Sequence, residues 1–433
     1  MFLNLLKSRR FAPLFWCQFL SGFNDNFVRN LLAMLVLFEL GKDRAGTLIT
    51  LAVAIFILPS IFISGLAGEI ADSQDKARVA QRLKLAEIFI QMLAAAGVWL
   101  GYLPLLYAAL FGLGVIAALF NPIKYGLLPE HLAAEELMAG NALVEAATFL
   151  AILFGLIFGG LAAGQVRTPA GVTLQLMLIA AASYVTSRAI PPTKIAAADV
   201  RASANLWRST AAALREIGRM PFINAAAHAA SWFWLTGAVA LALVPVAIRK
   251  ATNGGLDVEV AITALFAVGI GLGSLGAALA ARGRLTLGLA PLGALGMAGF
   301  LVDLALANNA AAQASGDLSL SEFLAEPRGL RIAFDVVGLA AAGGIFILPI
   351  STALQIFAPR ERLARTLAGV NILSSIYIVA GSLGAALLQG FAGLSEPVLL
   401  AGLGLANVAA AWFAAKRLKP PLAAAGRAAA PGA

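Results

Sequence analysis

The chain carries a single cysteine, Cys17, among 433 residues. An intramolecular disulfide is impossible, and a thiolate metal cluster is excluded. Only two histidines occur, His131 and His228. There is no Gly-x-Ser-x-Gly elbow, phosphate loop or metal-ligand spacing. Neither histidine begins a His-x-x-x-x-Asp acyltransferase motif. The chain is therefore read as a non-enzyme with no cofactor and no metal. Charge is scarce too. Charged residues make up 12% of the chain, about half the share in a soluble domain.

Apolar sequence fills the space that charge leaves, at 61% hydrophobic residues. Runs of about 20 apolar residues recur from end to end, each long enough to cross a hydrocarbon core of about 30 Å. Helices satisfy their own backbone in lipid, so the fold class is an all-α polytopic membrane protein. Twelve spans are expected, near 11–40, 46–68, 81–101, 104–127, 137–164, 170–190, 221–248, 257–281, 284–307, 329–354, 363–390 and 395–415. The net charge of +9 is assigned to cytoplasmic loops, not to nucleic-acid binding. With the N-terminus inside, about three quarters of the 31 basic residues fall in inside segments. Lys7, Arg9, Arg10, Lys76, Arg78, Arg82 and Lys84 are among them. Lys42, Arg44 and Arg167 are among the few left outside, and so is the acidic loop with Asp317. Both termini are thus expected in the cytoplasm. The first ten residues lack the small-residue cleavage site of a signal peptide.

The expected organisation is a six-helix bundle over 1–190, a cytoplasmic linker over 191–220, a second six-helix bundle over 221–420 and a disordered tail over 421–433. The linker spaces Arg201, Arg208 and Arg215 seven apart, with Trp207 and Leu214 between them. That pattern predicts an amphipathic helix along the membrane face, near anionic lipid heads. Span five begins at Asn141 (NALVEAATFLAILFGLIFGG) and span eleven at Asn371 (NILSSIYIVAGSLGAALLQG). Each opens on Asn and turns Gly-rich, as parallel halves of a transporter would.

The first span holds Asn24-Asp25-Asn26 and Arg29 near its middle. A carboxylate at that depth is costly, and chains keep one where it meets a partner, a cavity or a substrate. Asp25 reads as a pathway residue or as the ion-pair partner of Arg29, one turn away. Arg29 reads as a head-group contact or a snorkelling side chain. Asn24, Asn26 and Asn30 are expected to bond between helices or to touch substrate. In span four, Lys124 and Tyr125 follow Asn121-Pro122. Lys124 is a phosphate contact or the partner of Glu145 in span five. Asp303, Asp335 and His228 are further polar groups within spans. Trp232, Phe233 and Trp234 line an acyl-chain groove or pack against neighbours.

Between spans two and three stands GLAGEIADSQDKARV. Gly68 and Asp72, followed by Lys76 and Arg78, resemble the loop signature of the major facilitator superfamily. The resemblance implies a gating latch there. SGFNDNFVRN, this loop, NPIKYGLLPE and NALVEAATFLAILFG together resemble the bacterial lysophospholipid transporter family within that superfamily. The likeness covers about residues 12–165. It implies two six-helix bundles and alternating access in the bacterial inner membrane. The implied activity is a flippase moving lysophospholipids from the outer to the inner leaflet for re-acylation by a separate acyltransferase. Membrane lipids are the other partners, and a monomer is expected. Asp25, Lys124 and Glu145 carry over as substrate-site residues, with Arg29, Asn24, Asn26 and Tyr125 beside them. The arginine of the family's span seven has no match here. Two other readings remain open at this point: a proton-coupled exporter of a drug or small solute in the same superfamily, and a membrane anchor for a lipid enzyme.

Overall fold

A computed structural model describes residues 2–40, 42–165, 168–200, 202–203, 205–309 and 318–419. Arg167, Arg201, Asp317 and the tail 421–433 lie outside these, as do the side chains of Lys42 and Arg44.

The described residues are helical almost throughout. In chain order the helices are α1 (Phe2–Lys7), α2 (Ala12–Leu40), α3 (Lys42–Ser73), α4 (Lys76–Leu100), α5 (Leu103–His131), α6 (Ala134–Gly164), α7 (Pro169–Arg188) and α8 (Leu206–Gly218). They continue as α9 (Pro221–Thr252), α10 (Leu256–Ala281), α11 (Leu289–Ala307), α12 (Leu320–Ala325), α13 (Pro327–Phe357), α14 (Leu363–Ala392) and α15 (Glu396–Arg417). Eleven are long and apolar enough to cross a membrane. Helix α2 is not in that set, although its 29 residues reach about 43 Å. Asn24, Asp25, Asn26, Arg29 and Asn30 lower its hydropathy.

Local chemistry accounts for the helix ends. Asp75 caps α4 by accepting from the Ala77 N–H at 3.0 Å, leaving that donor satisfied. Helices α5, α7, α9 and α15 carry proline in their first turn, where its missing N–H costs nothing. Helices α3, α5, α9 and α13 carry internal prolines, a feature membrane helices tolerate where neighbouring helices, hydroxyl side chains or local adjustments re-satisfy the freed backbone.

Cα packing divides the chain into two compact units. The first comprises Met1–Ala133, Leu150–Arg219 and Ala358–Ile372; the second comprises Ala134–Phe149, Met220–Phe357 and Leu373–Ala433. Two helices are split by this division. The start of α6, through Phe149, packs in the second unit, and the start of α14, through Ile372, packs in the first. The apolar core of the first unit is built from Phe27, Val28 and Leu31 of α2, Ala94 and Val98 of α4, Leu110 of α5 and Leu176 of α7. In the second unit α13 packs against α10 and α11, and α11 against α15.

The long helices match the expected spans to within a few residues, with one consequential shift. Helix α4 begins at Lys76, not near 81. Lys84, counted with the inside charges at the edge of the expected span, is therefore deeper than expected. It lies two turns inside a helix and is fully buried. The predicted amphipathic helix is α8. Its buried face is Ser209, Thr210, Ala213 and Ile217, while Trp207, Arg208 and Arg215 are exposed.

Candidate functional site

Helix α2 presents the polar face that the sequence marked. Asn24 is fully buried, whereas Asp25 and Arg29 are half-buried. The Asp25–Arg29 ion pair, one of the two readings of Asp25, does not form among the described residues. Arg29 instead donates to the Asn26 side-chain carbonyl and lies 6.0 Å from the Phe56 ring. Asn26 donates to the Gly22 carbonyl at 2.7 Å, and Asn30 to the Leu156 carbonyl of α6 at 2.5 Å. The Asp25 carboxylate accepts no hydrogen bond from a described residue. The charges that act on it are those of Glu87, Lys84, Arg29 and Lys124. Lys124 of α5 is half-buried, with its Nζ 4.8 Å from the ring of Tyr125.

Two residues that sequence reasoning missed complete this cluster. Lys84 and Glu87 of α4 are fully buried and paired, Nζ to Oε2, at 2.7 Å. Lys84 also donates to Ser21 Oγ at 2.5 Å and lies 4.2 Å from the Phe120 ring. Glu87 Oε1 accepts from Asn24 Nδ2 at 2.9 Å. The signal was present: a Lys and a Glu spaced i, i+3 inside an otherwise apolar run. An ionisable residue within a span is a functional candidate by default.

A second polar cluster forms where α3 meets the start of α14. Asp72 is fully buried. It accepts from the Ala364 N–H at 3.0 Å, the Arg365 N–H at 3.2 Å and Arg365 Nε at 3.0 Å. One carboxylate thus caps a helix N-terminus and pairs with a cation in its first turn. Gly68 makes this approach possible. A Cβ there would lie 2.7 Å from the Arg365 Cα and 3.0 Å from the Ala364 carbonyl. Lys76 bonds Glu130 at 2.5 Å, not Asp72. Arg78, expected in the latch, is outside it. It is exposed and sits 3.5 Å from Asp75, because i, i+3 spacing puts both on one side of α4. Arg365 is the cation that pairs with Asp72. Close by, Asn371 of α14 donates to Ser64 Oγ at 2.8 Å and accepts from Asn121 Nδ2 at 2.6 Å.

The second unit holds Glu145, which is buried in the early part of α6. One turn before it, Asn141 and Gln355 of α13 exchange hydrogen bonds at 2.7 and 3.0 Å. Thr352 Oγ1 also accepts from Asn141, at 3.2 Å. His228 Nδ1 is 2.8 Å from the Tyr377 hydroxyl. Asp303 of α11 is held by Arg331, and Asp335 is buried one turn further along α13. Trp232 donates to Asn407 at 3.0 Å, and Trp234 stacks on Phe149 at 6.4 Å. These aromatics pack within the unit.

Long apolar helices, a polar face inside the first one and a carboxylate-capped junction define a multi-pass membrane transporter class. A family model for the Major Facilitator Superfamily matches residues 14–320, and the chain belongs to that superfamily. Among curated proteins it is 35% identical over 161 residues to the lysophospholipid transporter LplT of Serratia proteamaculans, covering 36% of this chain and 37% of that protein. It is 30% identical over 283 residues to the Yersinia pestis protein of the same name, covering 62% and 64%. The matched part is thus from about a third to just under two thirds of those relatives' length. The resemblance drawn from the motifs is borne out by these matches. Solved structures share the fold. The fucose:proton symporter of E. coli aligns with a TM-score of 0.69 at 14% identity, covering 94% of this chain and 98% of that one. A human organic anion transporter aligns at 0.73 and 12%, covering 93% and 99%.

Proposed function

We propose that the protein is a lysophospholipid transporter of the bacterial inner membrane. It has twelve spans and cytoplasmic termini, and it is not an enzyme. In this reading it moves lysophospholipid from the outer to the inner leaflet by alternating access. A separate acyltransferase there restores the missing chain. Asp25, Arg29 and Lys124, with Asn26 and Tyr125 beside them, meet the polar head, Glu145 contributes from the early part of α6, and Asn24, expected beside them, is instead fully buried on Glu87. The acyl chain stays in a hydrocarbon-like environment. Asp72 with Gly68 is the latch, and it must release for the cytoplasmic side to open.

One observation carries this reading. Asp25 sits mid-helix in an apolar chain, half-buried, with no hydrogen bond from a described residue and three cations, Lys84, Arg29 and Lys124, acting on it. A membrane helix has no structural need for such a group. The named relatives supply the substrate class. Purified protein in proteoliposomes tests both. Uptake of labelled lysophospholipid is expected to be lost in Asp25→Asn and Lys124→Ala while both variants remain folded. Normal transport by both sinks the site. Uptake of a soluble solute with none of lysophospholipid would favour the exporter reading.

A further inference from the structure

The buried Lys84–Glu87 pair has more structure than an anchor needs. Lys84 lies eight residues into α4, about 12 Å along its axis. Glu87 is one turn further on, and both side chains are fully buried. Every strong group of the pair is used. The Lys84 ammonium serves Glu87, Ser21 and the face of Phe120. The Glu87 carboxylate takes Lys84 on Oε2 and Asn24 on Oε1. Buried ion pairs are weak stabilisers, because hydrophobic side chains of similar volume serve as well or better. Fastening α4 to α2 does not require one.

The network does end at a particular place. Ser21 and Asn24 lie on one face of α2, and both are held by the pair. Asn26, on the other side of Asp25, is held by the Gly22 carbonyl and by Arg29. Asp25 is therefore the untied member of a triplet whose two flanks are tied. Lys84 is a buried cation whose charge acts on Asp25, and its partner at 2.7 Å on its own helix occupies it.

We propose that Lys84 and Glu87 are positioning residues for transport: Glu87, neutralised by Lys84, grips Asn24 and fixes the rotation of α2, so that the Asp25 carboxylate stays off protein partners and faces the head group. This rests on the reading of Asp25 as a head-group contact.

Two double variants test the grip. Lys84→Met with Glu87→Met replaces the pair by apolar side chains and removes the acceptor for Asn24. Lys84→Met with Glu87→Gln also removes both charges, but keeps an amide oxygen for Asn24. Each is purified, checked by size-exclusion and thermal melting, and assayed for lysophospholipid uptake per folded molecule across substrate concentration. The Met/Met protein is expected to fold but to lose uptake about tenfold or more, mainly through a raised KM, as small misplacements of binding groups do. The Met/Gln protein is expected to stay within about threefold of the parent, since its hydrogen bond persists. Asn24→Ala should mimic Met/Met. Parental uptake by Met/Met overturns the proposal. Loss by Met/Gln equal to that of Met/Met also overturns it, because charge and not the grip would then matter. Asp25→Asn runs alongside. If it transports normally the head-group reading fails, whatever the doubles do. If it loses transport while Met/Met does not, only the positioning role fails.

Discussion

Among the described residues, Asp72, Lys76, Lys84 and Glu87 are the charged side chains buried in the first unit, whereas Glu145, Asp335 and Glu396 are those of the second. The first set balances, with two cations against two carboxylates. The second is all carboxylate, and the cation that serves Glu396 is Lys250, whose side chain is 66% exposed. Neutral bonds do more of the fastening in the second unit: Asn141 with Gln355, His228 with Tyr377, Trp232 with Asn407. The difference has a physical consequence. Removing half of a buried ion pair strands a charge, which is far more costly than losing a bond between neutral groups. The first unit is therefore the brittle one, and it is also where Asp25 is held.

The sharpest way to break this contrast is Glu87→Ala alone. It leaves the Lys84 ammonium buried without its counter-ion. A loss of about 3–5 kcal/mol is expected, read as a steep fall in melting temperature in detergent. Gln355→Ala in the second unit should cost much less. Equal melting of the two variants would erase the distinction.

Asp72 comes next. Asp72→Ala removes both the cap of α14 and the partner of Arg365, and about 1–2 kcal/mol is expected from the cap. Asp72→Asn keeps an N-cap and loses only the ion pair, so its stability should lie between. A latch role requires more: Asp72→Asn should change the uptake rate more than it changes melting. Variants whose uptake follows melting alone would reduce Asp72 to a helix cap.

These residues also show where sequence reading stops. Helix lengths were legible because an apolar run of fixed minimum length is a strong signal. The polar face of α2 was legible because Asn, Asp and Arg are costly there. Asp72 was found from its loop, but Arg365 was not. The two lie 293 positions apart, and no local pattern joins them. Arg78 was chosen in its place because it follows Asp72 in the chain, yet the turn after Ser73 carries it to the exposed side of α4. Lys84 was misread for a related reason. A lysine near the expected edge of a span counts as an inside charge, and the edge was five residues too late. The spacing of Lys84 and Glu87 was in view, but burial decides its meaning, and burial belongs to the tertiary structure.

Smaller effects sharpen the second half of the comparison. Trp232→Phe removes one indole N–H from Asn407, whose side chain is fully buried. About 1 kcal/mol is expected from the orphaned acceptor. Asn407→Leu in the same background should recover part of it, since two apolar partners leave no polar atom unsatisfied. Melting temperatures of the single and double variants check this. A double variant worse than Trp232→Phe would mean that Asn407 has a further role.

The Asn141–Gln355 pair carries the smallest and most informative number. Its two hydrogen bonds are reciprocal, and both side chains are buried. Bonds of this kind between membrane helices couple by about 0.6 kcal/mol on average. A double-mutant cycle with Asn141→Ala and Gln355→Ala should return about that value if the pair only fastens α6 to α13. Coupling in the transport rate larger than the coupling in stability would say something else. The early part of α6 would then be a moving contact, the neutral counterpart in the second unit of the charged Asp72 junction in the first. Equal coupling in both readouts would leave the Asn141–Gln355 pair as a fastening alone.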